Sequence, residues 1–267
     1  MNTALRLSFI ISLSLILRSA QALVMSNTDR VKIKINGKSS FLLSDLEKRG
    51  LKKKLRVITR IDPTSKTKHN YSGYLLSDFI EFTQKSYQLK QIDHIETIAK
   101  DGYRLVIDKE NLKSTGAFIA IDISGVGKKG LYNHSLKSYF KWQPSYILFN
   151  QKDKKVSVSS PYQVMKMIIF ENKVESSLLD KIHSSKHKGA RVFIRSCSKC
   201  HAYKGFGGKK APKMNLVIKR WKRKDDNKLK SFLKNPQQVS KRKIQMSPYT
   251  GSDEDLNYLI EFLRSIN

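Results

Sequence analysis

Five consecutive residues constrain this chain more than any others: Cys197-Ser198-Lys199-Cys200-His201 holds both of its cysteines and a histidine. Few chemistries use two thiols three positions apart with an imidazole directly after them. An exported chain could close the pair into a disulfide. A thioredoxin-like redox pair needs a βαβ setting, and basic helical sequence surrounds this one. Zinc needs two further Cys or His ligands at suitable spacing, and His183 and His187 precede the pair where a finger pattern places its histidines after it. The reading that uses all three side chains is C-x-x-C-H as the attachment site of a c-type haem. There the thiols add across the vinyl groups of the porphyrin, and the imidazole reaches the iron from one side.

The N-terminus agrees with such chemistry. Arg6 precedes an apolar run from Leu7 to Leu17, Arg18 closes it, and Ser19-Ala20-Gln21-Ala22 has the small-x-small form of a cleavage site. The run is too short to span a bilayer. Residues 1–22 are therefore expected to be a signal peptide. The mature protein is expected to be exported to the periplasm or another extracytoplasmic space and to be soluble after cleavage.

Charge bears on partners. The chain has 52 Lys and Arg against 22 Asp and Glu, a formal +30, and hydrophobic residues at 39% are too many for a disordered polycation. A basic chain of this kind invites a nucleic-acid reading. The export signal argues against it, so the expected partner is an acidic redox protein or an anionic membrane surface, with no nucleic acid.

At 267 residues the chain has room for two smaller domains. Before the haem motif the sequence reads as strands. Val31-Lys32-Ile33-Lys34-Ile35 alternates apolar and basic residues, and Asn36-Gly37 is a hairpin turn signal. Phe41 to Leu46 either continues the hairpin or begins a short helix. Leu55 to Thr59 is a strand, Asp62 to Asn70 a polar loop, and Leu75 to Phe82 a helix capped by Ser77 or Asp78. Ile95 to Ala99 and Tyr103 to Ile107 are predicted to pair across an Asp101-Gly102 turn. Ala117 to Ile123, Tyr146 to Phe149 and the run Pro161 to Glu171 complete an α+β, mainly β unit. His69, His94 and His134 are expected at surface or satisfied positions. His183 and His187, four apart, are expected on one face of a solvated linker helix.

Within this unit Tyr71-Ser72-Gly73-Tyr74-Leu75-Leu76-Ser77-Asp78, then Asp101-Gly102-Tyr103, then the late strand resemble the molybdopterin-binding domain of sulfite-oxidase-type oxidoreductases. That family holds molybdenum through a cysteine thiolate, and both cysteines here lie in the haem motif. The resemblance therefore implies the family's fold without its metal. Molybdopterin is not expected, and a binding or docking domain is.

The end of the chain carries a second resemblance. Gly189, Phe193 and Cys197 fall on one helical face, with glycine where another helix would cross closely. Ser252-Asp253-Glu254-Asp255 is a capping signal with acids at the positive end of the helix dipole, and Leu256, Leu259, Ile260 and Leu263 form an apolar stripe behind it. These two helices and the Leu259 to Leu263 segment resemble those of class I cytochromes c. The resemblance implies an all-α domain with one covalent haem c on Cys197 and Cys200 and with His201 as an axial ligand. Met246, in Gln245-Met246-Ser247-Pro248-Tyr249 and 45 positions after His201, occupies the family's place for the second axial ligand. Met214 is only 13 positions downstream, too close to wrap round the ring. Pro212 corresponds to the proline whose carbonyl accepts the other N–H of the axial histidine. Leu229 to Pro236 matches the middle helix, and Trp221 is within sequence reach of a haem propionate.

The expected organisation is a signal peptide at 1–22, a sulfite-oxidase-like domain at 23–172, a linker at 173–185 and a cytochrome c domain at 186–267. With both axial positions filled there is no open site for substrate. The haem is then expected to carry electrons, with no catalytic residue assigned. The rival reading is a haem-bearing oxidoreductase whose first domain binds a pterin or small substrate and passes electrons to the haem.

Overall fold

Alternating apolar residues become sheet from the first strand onward. In the computed structural model, which describes residues 26–108, 112, 116–127, 129–134, 137–149, 160–171, 188–222, 224–240 and 246–266, Lys32–Ile35 (β1) and Ser39–Leu42 (β2) form the expected hairpin. Asn36 and Gly37 turn it with φ of 50° and 72°, left-handed values that these two residue types tolerate best. Both courses predicted for residues 41–46 occur in succession: β2 takes Phe41 and Leu42, and a helix, Leu43–Lys48 (α1), takes the rest.

Arg56–Ile61 (β3) pairs antiparallel with Lys68–Leu75 (β4). The loop predicted from Asp62 to Asn70 is shorter, and strand resumes at Lys68. Asp62 tightens the turn by accepting from the amides of Thr64 and Ser65, so Lys68 to Asn70 already face partners in β3. Leu76–Tyr87 (α2) follows β4 directly. Its cap is not Ser77 or Asp78, because extended Leu75 is the N-cap residue and offers no side-chain acceptor. Asp78 instead takes the Arg56 guanidinium at 2.9 Å.

Ile92–Ala99 (β5) and Arg104–Asp108 (β6) pair across the predicted turn. Phe118–Ile123 (β7), Leu131–Asn133 (β8), Ser138–Phe140 (β9), Tyr146–Leu148 (β10) and Val164–Glu171 (β11) complete the strands among the described residues. They build a sheet of order β2-β1-β11-β5-β6, a second of order β10-β7-β4-β3, and the small β8-β9 pair. β11 enters the first sheet between β1, to which it is parallel, and β5. The late strand thus ties the start of the region to its middle.

Period-two alternation sorts side chains onto two cores. Ile119 and Ile147 face inward with Ile33, Ile95, Leu105 and Met167, under α1 and α2. Their neighbours Phe118, Ala120, Tyr146 and Leu148 face the opposite side with Tyr71 and Trp142. The residues that carried the sulfite-oxidase resemblance hold these layers together. Tyr71 donates to buried Asp62 at 2.9 Å, and Tyr74 donates to Glu47 at 2.6 Å. A Cβ at Gly73 would run into the Ile119 carbonyl oxygen, so glycine lets β4 and β7 approach.

The histidines divide. His69 lies 2.6 Å from the Thr67 hydroxyl, and His134 lies edge-on to Tyr132. His94 departs from the surface or satisfied position predicted for it. It is buried in β5, stacked on Phe170, with Nδ1 on Asp93 at 2.9 Å and Nε2 without a partner among the described residues.

From residue 188 on, the elements among the described residues are helices: Lys188–Ser196 (α3), Met214–Trp221 (α4), Asp226–Lys234 (α5), Pro236–Val239 (α6) and Asp253–Ser265 (α7). Ser252 caps α7 by accepting from the Asp255 amide at 3.1 Å, as its sequence predicts. Helices α3 and α7 cross at Gly189, where a Cβ would strike the Tyr258 carbonyl oxygen and come within 2.6 Å of Phe262 Cβ. Phe193, Leu256, Leu259, Ile260 and Leu263 are buried along the seam. Arg264 fastens the far end of α7 by donating to the carbonyls of Trp221 at 3.0 Å and Lys224 at 2.6 Å and to Asp226. The predicted signal peptide, the linker with His183 and His187, and Gln245 lie outside the described residues. Among the described residues no helix is long and apolar enough to cross a membrane.

Candidate functional site

The helix α3 delivers the motif. Its last turn continues into a tight turn in which the Cys200 and His201 amides both donate to the Cys197 carbonyl, at 3.2 and 3.0 Å. Ser198 is held by its hydroxyl to the Ile194 carbonyl at 2.7 Å. Both cysteines are free and half-buried, and Cys197 packs against the helical core. Burial, and behind it the neighbouring Cys200, pushes the Cys197 thiol up to about 12. Burial raises Cys200 as well, so both groups are neutral thiols near neutral pH.

A loop then folds back over the motif. Gly208 N–H donates to the Ser198 carbonyl at 2.7 Å, Ala211 N–H to Cys200 at 3.0 Å, and Met214 N–H to Ala202 at 2.7 Å. Gly207, at φ 102°, lies so close that a Cβ would meet the carbonyl oxygens of His201 and Ser198 at 2.5 and 2.8 Å. The return brings Pro212 to the histidine: its carbonyl oxygen is 2.7 Å from His201 Nδ1. With Nδ1 donating there, Nε2 is the nitrogen left for a metal, and the ring orientation is set.

The two methionines separate. Met214 opens α4 with its side chain buried in the core beside Ile218 and Leu229. Met246 is half-buried at the margin of the same cluster that Cys197 joins. Three residues on, Tyr249 N–H donates to the Leu233 carbonyl at 2.8 Å and pins the segment to the end of α5. Trp221 is half-buried and packs its ring against Phe232 at 4.6 Å.

The β-rich region also touches this site, a contact with no local trace in the sequence. The turn between β5 and β6 reaches the loop: Arg104 N–H donates to the Lys199 carbonyl and Lys209 N–H donates to the Gly102 carbonyl, both at 2.9 Å. Lys210 Nζ sits 2.7 Å from Asp101 Oδ2. Burial works against the Lys210 ammonium, but the Asp101 hydrogen bond and charge outweigh it and leave its pKa above the ordinary lysine value. Burial lowers that of Lys199.

The donor set suits a covalent haem. Two free thiols flank the turn, and an imidazole with one nitrogen already oriented follows them. Among the described residues no group of three or more His, Cys, Asp or Glu side chains is placed to hold a bare metal ion. Against this geometry, the cytochrome c family model matches residues 187–267. No curated protein matches the chain. The family match supports a C-terminal cytochrome c domain and with it a haem-bearing electron carrier, and the family implies covalently bound haem c. That match does not extend into the N-terminal region, which is mostly β among the described residues.

Proposed function

We propose that the chain is an exported monohaem electron carrier. Cys197 and Cys200 would hold the haem through thioethers, His201 Nε2 and the Met246 thioether would occupy the two axial positions, and Pro212 would support the histidine. The haem would supply a one-electron Fe(III)/Fe(II) couple. The observation that carries this reading is His201, fixed through Nδ1 at 2.7 Å from the Pro212 carbonyl directly after two free thiols at the end of α3. A donor hydrogen bond of this kind raises ligand basicity, while a soft thioether opposite it favours Fe(II) and raises the potential relative to a second imidazole. Met246 rather than Met214 is assigned because Met214 is buried in the core, whereas Met246 is at the margin of the cluster that Cys197 also joins.

The first domain, at 23–172, is proposed as a sulfite-oxidase-like docking domain without molybdenum, since no cysteine lies outside the haem motif. Residues 1–22 would direct export, and 173–185 would link it to the cytochrome domain at 186–267. From His183 to Asn267 there are 21 Lys and Arg against 6 acids, a surface that would steer an acidic redox partner or bind an anionic membrane with strong salt dependence.

The test is pyridine haemochrome analysis of the full chain expressed with residues 1–22 and a haem-attachment apparatus. One covalent haem per chain is expected, and a preparation without it overturns the reading. Met246→Ala should abolish the methionine–iron charge-transfer band. If Met214→Ala abolishes it and Met246→Ala does not, the axial assignment falls. Stoichiometric molybdenum would overturn the docking role of the first domain.

A further inference from the structure

The loop that returns over the haem motif is gripped from two sides. Lys209 and Lys210 bond outward to the β5–β6 turn, and Ala211 and Pro212 bond inward to the haem motif. Lys209 N–H goes to the Gly102 carbonyl and Lys210 Nζ to Asp101, while Ala211 N–H goes to the Cys200 carbonyl and the Pro212 carbonyl receives His201 Nδ1. On the other side of the histidine, the Lys199 carbonyl receives Arg104 N–H. The β5–β6 turn therefore holds both backbone segments that flank the axial ligand.

The contact is tailored to these residues. A Cβ on Gly102, whose φ is 83°, would crowd Lys209 at 3.2 Å. A Cβ on Gly208 would strike the Lys199 carbonyl oxygen and meet that of Gly102 at 3.0 Å. Asp101 divides its carboxylate, with Oδ1 accepting from the Tyr103 amide at 3.0 Å and Oδ2 facing Lys210. The turn is itself anchored in the sheet, since Ala99 N–H donates to Tyr103 and Lys100 N–H to Gln163, each at 2.9 Å.

We propose that the Asp101–Arg104 turn of the β-rich domain is a clamp that tunes the haem, with Asp101 as a positioning residue that keeps the Pro212 carbonyl on His201 and so holds the reduction potential down. The inference rests on the haem reading above. Its physical basis is that a firm Nδ1–H···O=C bond makes the imidazole a stronger donor and favours Fe(III). A carboxylate close to the motif favours Fe(III) in the same sense, because it stabilises the additional positive charge. Removing Asp101 takes away that charge, leaves the Lys210 ammonium unneutralised and loosens the loop. All three changes favour Fe(II). A second domain attached in this way makes the carrier's potential depend on whether the domains stay docked.

The test uses the full-length holo-protein with Asp101→Ala, Asp101→Asn and Gly102→Val. Spectroelectrochemical titration should show the Fe(II)/Fe(III) ratio at fixed potential rising by up to about tenfold, equivalent to about 59 mV for a one-electron couple. Amide exchange read on the same samples should show Arg104 and Lys209 protected in the parent and exposed in Gly102→Val. Asp101→Glu should restore part of the shift. An unchanged potential in variants whose two amides have lost protection overturns the tuning, and unprotected amides in the parent overturn the clamp. Protected amides in a chain without covalent haem would instead show the haem reading to be at fault. Asp101→Asn keeps size and shape, so it decides the potential if the other variants do not fold.

Discussion

Replacing Gly189 by alanine should destabilise the cytochrome domain, against the usual effect of that substitution in a helix. In an open helix interior Gly→Ala gains about 1 kcal/mol, because the alanine backbone loses less entropy. At Gly189 the new methyl group would meet the Tyr258 carbonyl oxygen and Phe262 Cβ, the latter at 2.6 Å. One obstacle is backbone and the other is fixed by backbone, so no side-chain rotation relieves the overlap. Helix α7 would have to move off α3 by about 1 Å, and a gap of that size forfeits up to half the dispersion energy of the atoms facing it. The seam so opened includes Phe193, Leu259, Phe262 and Leu263, all buried. Overpacking costs about 1–3 kcal/mol and belongs here at or beyond the upper end, which leaves a net loss of about 2 kcal/mol after the propensity gain. For a domain of this size that is a fall in Tm of about 8–16 °C. Thermal unfolding of the holo-protein followed by Soret circular dichroism would report this domain separately from the β-rich one. A Tm that rises or stays the same would refute the close crossing.

Acid should unfold the cytochrome domain partly through two exposed carboxylates. The Lys228 amide that Asp225 caps at 2.8 Å holds the Asp225 carboxyl below its usual value, and the Lys234 ammonium at 2.6 Å does the same for Asp253. The native state binds these protons less readily than the unfolded one. Their stabilisation is therefore complete above the unfolded value near pH 4 and disappears as pH falls through the lower native values. Asp253→Asn should lower the urea midpoint at pH 7, flatten its decline below about pH 4 and match the parent near pH 2, and a parallel decline would refute the assignment. Arg264→Ala should cost about 1–2 kcal/mol in denaturant titration, since it removes the donors to the Trp221 and Lys224 carbonyls and to Asp226. Arg264→Lys should recover little of this, because an ammonium cannot reproduce the planar fork. Tyr71→Phe should destabilise the β-rich region by about 1–3 kcal/mol, because it leaves Asp62 buried without its phenol donor. A loss under 0.5 kcal/mol would show that the Asp62 turn does not need it.

Local sequence predicted well wherever periodicity and short-range chemistry act alone. Asn36-Gly37 turned as expected, Ser252 capped the last helix, and the Gly189–Phe193–Cys197 spacing placed glycine at the helix crossing. Errors fell where a distant partner overrides local preference. Ser77 and Asp78 are good caps by composition, yet Asp78 is claimed by Arg56 from another strand. Lys68 to Asn70 are polar, yet β3 supplies ladder bonds that make them strand. His94 is a single histidine in polar company, yet the β5 pleat turns it inward beneath Phe170.

The same division runs through the candidate site. Sequence alone determined that thiols and imidazole share one turn, since Cys197, Cys200 and His201 are separated by too little chain to be placed otherwise. It also determined the amphipathic helices on either side, because a stripe at helical spacing must be buried against something. The Pro212 carbonyl on His201 and the choice of Met246 over Met214 are expected through the family resemblance. Only the tertiary structure decided that Asp101 and Arg104 reach the loop from a strand turn about a hundred residues earlier. Those pairings depend on how two separately formed cores are laid against each other. No residue type or spacing along the chain encodes a contact that arises only once both surfaces exist.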